Sequence, residues 1–341
     1  MTDIWPSITA VIPTLNAARH LDACLASLRQ QTYAGSVEVL IIDAGSTDTT
    51  LEIARRHKVD RILPNPLRSG EAGKAVGVKA AGGELILLVD SDNTLIGSDW
   101  LSRIVRPFIE DAAVMGCEPA RFAHVPEDHY IIRWHALIGA ADPLTVYLGN
   151  YSRESVITGT WTGYPHHSEA HDRWEAVDLD PQWVPVFGAN GFMMRKRAYE
   201  LAPVGDYLFD LDHVFDLVQA GHRRFARVDV AVHHAFCDGV SKYWTKTRRR
   251  IDDLFYFAAK GRRSYPWTTG RRMRRMMLFG LSTVFTLPVI VTAIRGHLRK
   301  PDAGAWAWHP LACWITLIVY AAGVVRGRLR PRMLDRTSWR Q

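Results

Sequence analysis

Cysteine is scarce: Cys24, Cys117, Cys237 and Cys313 are all that 341 residues contain, and no two form a CxxC pair. That spacing excludes a zinc ribbon and a disulfide framework and fits a reducing compartment. The first apolar run lacks a basic leader and a cleavage site, so no secretory signal is expected. No GxGxxG turn follows it, which counts against a dinucleotide dehydrogenase. Acid is scarce in one region only. Residues 241–341 hold 4 Asp/Glu against 21 Lys/Arg, whereas residues 1–240 hold 31 against 21. The net charge of +7 therefore hides an acidic body joined to a basic C-terminal third. With 48% hydrophobic residues, the chain has core enough for one large domain and an appendage.

The body is organised around Glu84-Leu-Ile-Leu-Leu-Val-Asp-Ser-Asp-Asn93. Five apolar residues, 85–89, read as a strand covered on both faces, and Asp90 and Asp92 follow at its carboxyl end. Open α/β sheets bind ligands at that end, and acids at alternate positions can reach one hard cation such as Mg²⁺ or Mn²⁺. Upstream, Ile8-Thr-Ala-Val-Ile-Pro-Thr-Leu-Asn16 and Val37-Glu-Val-Leu-Ile-Ile-Asp43 read as strands, each followed by a helical pattern. A glycine-punctuated helix is expected over 70–81. Alternation of this length predicts an α/β fold with a wound, mostly parallel sheet and helices on both faces. Residues 121–185 read as an irregular, aromatic insertion that is acceptor-binding or lid-like. Helical spacing over 210–221 places Val214, Leu217 and Val218 inward, with acids at the start and Gly221 as the stop.

In that order and at those separations, Val11-Ile-Pro-Thr-Leu-Asn16, Ile42-Asp-Ala-Gly-Ser-Thr-Asp48, Gly83-Glu84 and Asp90-Ser-Asp92 resemble the donor half of family 2 glycosyltransferases of the GT-A fold. The resemblance implies an inverting transfer from a nucleotide-diphosphate-sugar. It implies that Pro13, Thr14 and Asn16 line the nucleotide pocket, that Asp43 accepts a hydrogen bond from the base and that Asp48 shapes the ribose side. Lys74 would face the diphosphate, although the asparagine that often follows such a residue is replaced by Ala75. Asp90, Ser91 and Asp92 would hold the donor and its metal, and Asn190 would lie under the donor sugar. Counting back from Gly221 by the family's usual spacing lands on Asp210 as the catalytic acid, with Asp212 as competitor. His233 or His234, after a strand over 225–232, would approach the metal. No Gln-x-x-Arg-Trp signature of processive synthases is present, so a single transfer is expected. A sugar-phosphate nucleotidyltransferase would instead open with a glycine- and arginine-rich loop. A non-catalytic adaptor would have no need of Asp43, Asp90, Asp92 and Asp210.

The basic third mixes twelve Lys/Arg with aromatics over 241–275 and then holds two uncharged runs, 276–294 and 305–325. Each run approaches the roughly 20 residues that cross a bilayer, which argues against nucleic acid as the partner of the basic segment. The expected organisation is a catalytic domain at 1–240, with a donor half at 1–118 and an acceptor half at 119–240. An interface segment at 241–275, two membrane helices within 276–325 and a basic tail at 326–341 complete it. Positive charge at both ends of the pair predicts an inner-membrane protein with a cytoplasmic body, an anionic leaflet beneath it and a lipid-linked acceptor.

Overall fold

Runs of β-branched and aliphatic residues alternate with amphipathic helical stretches from residue 8 onward, and a computed structural model, which describes residues 5–329 except 189 and 268, shows where they go. The first elements are β1 (Ile8–Thr14), α1 (Ala18–Arg29), β2 (Val37–Asp43), α2 (Thr50–Arg56), β3 (Arg61–Pro64), α3 (Gly70–Ala80), β4 (Leu85–Leu88) and β5 (Asn93–Leu95). Then come α4 (Trp100–Glu110), β6 (Gly116–Ala123), α5 (Tyr130–Ile138), α6 (Pro143–Leu148), β7 (His166–Ala170), β8 (Trp174–Leu179), β9 (Phe192–Arg195) and α7 (Lys196–Leu201). The chain continues through α8 (Asp210–Gln219), β10 (Arg224–His234), α9 (Val240–Ala259), α10 (Gly270–Phe285), α11 (Leu287–Arg299) and α12 (Ala303–Leu329). These elements pack as two units. Residues 5–123 with 165–234 form one, and residues 124–164 with 235–329 form the other.

The first unit is one sheet in the order β3-β2-β1-β4-β9-β6-β10-β8-β7, with β5 also on β10. Strands β3, β2, β1 and β4 pair in parallel, as α/β alternation requires. Beyond β4 the sheet is mixed, which corrects the expectation of a mostly parallel one. β9 leaves a glycine turn at the carboxyl end of β4 and can only run back antiparallel to it. Helices do cover both faces. Ile8, Ala10 and Ile12 share a core with Leu21 and Leu25 of α1, while Val11 and Pro13, on the alternate positions, meet α3. The approach of α3 is close. A Cβ on Gly77 would stand 2.2 Å from Val11 Cγ1, and one on Gly73 would stand 2.9 Å from Pro13 Cβ. These glycines bring the helix, and Lys74 on it, down onto the strands.

The second unit is helical, and its core joins Ile131, Trp134 and Ile138 of α5 to Phe236, Tyr243 and Ile251 and to Trp308 and Ile315 of α12. Residues 124–164, expected as part of an irregular acceptor half, thus contribute two helices to the C-terminal packing. The reason is the apolar face of α5, which buries Ile131, Trp134, Leu137 and Ile138 among these aromatics. The expected first membrane helix at 276–294 is two helices, α10 and α11, bent by 91° at Thr286. α12 covers 305–325 and is long and apolar enough to cross a membrane, yet 44% of its apolar window is buried in the protein. Most of the tail at 326–341 lies outside the described residues.

Candidate active site

Parallel strands β1, β2 and β4 end side by side, so the loops after them converge. Register pairs Thr14 with Asp43. The Asp43 carboxylate accepts from Thr14 Oγ1 at 3.0 Å, from the Gly45 and Ser46 amides at 2.9 Å each, and from the Ser46 hydroxyl. Four donors fill the capacity of a carboxylate. A nucleobase at Asp43 would therefore compete with the Ser46 hydroxyl. Asn16, in a left-handed conformation at φ 50°, ties the first loop to the second: its amide donates to Ser46 Oγ and its side chain accepts from the Thr47 amide, both at 2.9 Å. Asp48 accepts from the Ala18 amide and from Thr50. Pro13 is half-buried against Gly73. These residues shape the floor of the expected nucleotide pocket, and much of their hydrogen-bonding capacity is spent within it.

The acids after β4 sit in a second set of constraints. Ser91, Asp92 and Asn93 are buried and Asp90 is half-buried. Strand β5 then turns back onto β10 and sets Asn93 opposite His234. Because adjacent strand residues face opposite ways, only one histidine of the pair reaches the acids. It is His234, whose Nε2 lies 3.5 Å from Asp92 Oδ1. His233 pairs with Thr94 on the other face. Asn93, which the sequence did not single out, is the hub: its side chain accepts from the Asp90 amide at 3.1 Å and donates to Asn190 Oδ1 at 3.0 Å. It thereby links the acidic turn to the glycine loop before β9.

That loop bears on Asp210, the first residue of α8. Gly188 has φ 136°, and a Cβ there would stand 2.2 Å from Asp210 Cβ, so only glycine fits. The Asp210 side chain is 11% exposed, and its Oδ2 takes a short ion pair from Lys74 of α3. Its Oδ1 is buried with no hydrogen-bond partner. Burial pushes the Asp210 carboxyl above the usual range; Lys74 opposes this, and Asp90 and Glu71 add to it. For Lys74, burial favours the neutral amine, but Asp210, Asp90 and Glu71 outweigh it and hold the ammonium charged. Asp212, two residues on and also buried, lies about 200° around the helix from Asp210.

Two carboxylates and an imidazole suit a hard or borderline divalent cation. Among the described residues no three His, Cys, Asp or Glu side chains form a ready cage. Such an arrangement fits Mg²⁺ or Mn²⁺, which is commonly held by one or two carboxylates while phosphate oxygens supply further ligands. The exposed His166 and His167 on β7 belong to no such group, and His171 stacks on Trp174. A cavity of about 410 Å³ lined by Met115, Arg197, Glu200, Leu201 and His222 lies at the amino end of β6 and contains none of these groups.

Comparison with known proteins gives the family and the fold. Residues 9–200 match the family described as Glycosyl transferase family 2. An N-acetylglucosaminyltransferase of a Rhizobium species is 34% identical over 125 residues, 34% of this chain and 27% of that protein. The succinoglycan biosynthesis protein ExoA of Rhizobium meliloti is 35% identical over 114 residues, 32% and 33% of the two chains. The aligned regions thus span about a third or less of those relatives. In three dimensions, the mannosyltransferase PcManGT of Pyrobaculum calidifontis, solved with GDP-Man and Mn²⁺, superposes with a TM-score of 0.57 at 17% identity. That likeness covers 96% of this chain and 89% of the other, and it concerns the fold.

Proposed function

The chain belongs to glycosyl transferase family 2, and from that premise we propose that it is an inverting, single-transfer enzyme that moves a sugar from a nucleotide-diphosphate-sugar to a lipid-linked acceptor. The observation that carries this reading is the division of labour on Asp210: Lys74 holds one oxygen, and the other is buried and idle. Asp210 Oδ1 takes the proton of an acceptor hydroxyl as that oxygen attacks the anomeric carbon opposite the leaving group. Lys74 holds the carboxylate in place and opposes its protonation, and Gly188 leaves room for it. Asn93 and Asn190 align the acidic turn with the donor sugar. Asp90, Asp92 and His234 would hold Mg²⁺ or Mn²⁺, which when bound offsets the charge of the departing diphosphate. Pro13, Thr14, Asn16, Asp43 and Asp48 form the nucleotide side, with Ser91 packed between the two acids.

The basic segment at 241–275 supports a membrane setting, with its charges at an anionic cytoplasmic leaflet. A lipid-linked acceptor follows from that setting. If the acceptor is a polyprenyl phosphate, whose second pKa is about 6, its nucleophile is already largely ionised and Asp210 matters less.

The test is nucleotide release by the detergent-purified protein with Mg²⁺ or Mn²⁺, across UDP-, GDP- and dTDP-sugars, with and without membrane lipid. Lipid-dependent release from one donor is the expected result. Release that survives chelation and Asp92→Asn unchanged would overturn the assignment of the acidic turn.

A further inference from the structure

The apolar run at 276–294 is long enough to cross a bilayer only if it is straight. Nineteen residues of continuous helix are about 28 Å long, close to the ~30 Å hydrocarbon core. It is bent by 91° at Thr286. The uncharged parts of the two arms, 276–285 and 287–294, are about 15 and 12 Å long, and across a right angle their ends are about 19 Å apart. Neither arm, nor the pair, reaches across.

The bend is built into the chain rather than an accident of one torsion. Thr286 has φ 60°, and its amide donates to Thr283 O at 3.0 Å. The amides of Val289 and Ile290 donate to Thr286 O, and Pro288 lies in the first turn of α11, where its missing N–H costs nothing. From α12, Trp314 Nε1 donates to the Thr286 hydroxyl at 3.3 Å. The amide and carbonyl of Thr286 at the break are thus paired inside the protein, as irregular backbone at membrane depth requires.

The faces of the two arms are inverted relative to a soluble helix pair. Turned outward are Met277, Leu278, Leu281, Val284, Phe285, Leu287, Ile290 and Ile294. The two residues that flank the bend are among the most exposed, Phe285 at 72% and Leu287 at 66%. Charge marks the far ends: Arg271 and Arg274 start α10, and Arg295, Arg299 and Lys300 end α11, all exposed, with no acid from 270 to 300. α12 also turns apolar residues outward, Leu311, Ile318, Val325 and Leu329. Its other face is covered by Trp134 at His309, Tyr243 at Thr316, Ile251 at Gly323 and Phe255 at Gly327. Helix α9, which supplies three of these contacts, carries seven Lys, Arg and Asp residues, a poor neighbour for a lipid-facing span.

We propose that α10 and α11 form a re-entrant wedge that enters and leaves one leaflet of an anionic bilayer, with Phe285 and Leu287 at its tip and the basic ends of both arms at the same headgroup surface. At roughly 45° to the plane, the uncharged arms descend about 8 to 11 Å, within one leaflet's ~15 Å. The inference deepens the membrane part of the function proposed above, and it is tested without measuring transfer.

All four native cysteines are buried, so introduced ones dominate labelling. The full chain is added to preformed vesicles of phosphatidylcholine and phosphatidylglycerol (3:1), carrying Arg274→Cys, Lys300→Cys or Phe285→Cys. The expected result is equal labelling of the first two by a membrane-impermeant maleimide with vesicles intact. A nitroxide at Phe285→Cys should be accessible to oxygen and shielded from an aqueous nickel chelate. Charge at the tip, Phe285→Glu with Leu287→Glu, should weaken vesicle binding more than about tenfold. Lys300→Cys labelled only after the vesicles are opened would mean a span and overturn the wedge. A nitroxide exposed to the chelate would overturn insertion, and one shielded from both oxygen and the chelate on a protein that sediments as a dimer would mean that a second copy covers this face. Insertion with no transfer from any donor would leave the wedge standing and overturn the function instead.

Discussion

Each unit contains a buried carboxylate paired with a base, and the two pairs are built differently. In the second unit Asp142 caps α6: Oδ1 accepts from the Thr145 amide and hydroxyl at 3.0 and 3.1 Å, and Oδ2 accepts from Arg250 at 3.0 Å and Tyr320 at 2.9 Å. Every acceptor position is used, which is how a buried charge is retained for structure. In the first unit Asp210 has Lys74 on one oxygen and nothing on the other. An idle buried carboxylate oxygen costs stability, and in Asp210 it is the acceptor that the proposed reaction would use. The saturated pair holds a fold together; the half-saturated one is the pair to which the proposed function gives a reaction.

The most severe way to break this comparison is Asp210→Asn. Loss of a positioned base costs about 10²- to 10⁴-fold in rate. We expect transfer to a hydroxyl acceptor to fall by that amount per folded molecule. Near-normal turnover would remove Asp210 from the chemistry. Asp142→Ala should do the reverse. It strips a helix cap and leaves Arg250 and Tyr320 unpaired, a loss of about 3 kcal/mol, toward the low end for a broken buried pair because Arg250 keeps some solvent. Denaturant unfolding would register it, with kcat per folded molecule nearly unchanged.

Why Asp210 was legible and the contact that Gly188 makes with it was not is a matter of range. Apolar runs ending in acids are local signals, and they located β1, β2, β4 and the turn at 90–92. Spacing back from Gly221 located Asp210, which is the first residue of α8. Gly188 and Asn93 matter through contacts 22 and 97 residues away, with Asp210 and Asn190, and no periodicity encodes those. The antiparallel return of β9 is a tertiary consequence of the same loop. The bend at Thr286 did leave a signal, Pro288 in what became a first helical turn, but a hydropathy window averages over it. The acceptor region misled because its polar and aromatic mix looks irregular until α5 is seen to bury one face against α12.

A smaller effect separates the fold of the first unit from its chemistry. His213, one turn beyond Asp210, stacks on Tyr199 with ring centroids 4.8 Å apart, and its Nε2 has no hydrogen-bond partner. Burial lowers its pKa from 6.5 to about 4. The unfolded chain therefore binds the proton first as pH falls. Stability from the neutral imidazole is complete above about 6.5 and is lost as pH drops toward 4. At pH 5 the loss amounts to about 2 kcal/mol. Urea midpoints at pH 7 and 5 should differ less in His213→Phe than in the parent, and equal pH sensitivity in the two would show that this histidine is solvated.

The smallest effect sharpens the comparison most, because the same substitution tests both units. Gly77 of α3 and Gly323 of α12 each stand where a helix approaches its neighbour too closely for a Cβ: 2.2 Å from Val11 Cγ1 in one case and 2.7 Å from Ile251 Cγ2 in the other. Alanine gains about 1 kcal/mol of helix propensity at either site. Overpacking costs about 1 to 3 kcal/mol, so both variants should lose about 1 kcal/mol on balance. Gly70, with nothing within 4 Å of its Cβ position, is the control and should be neutral or slightly stabilised. Their effects on transfer should differ. Raising α3 off the sheet moves Lys74, three residues before Gly77, away from the Asp210 oxygen that it holds, so Gly77→Ala should lower kcat several-fold. Gly323→Ala separates two helices of the second unit and leaves that ion pair alone. If the two alanines lowered kcat equally at matched stability, Lys74 would not be orienting the base, and the contrast between the half-used and the fully used pair would lose its chemical meaning.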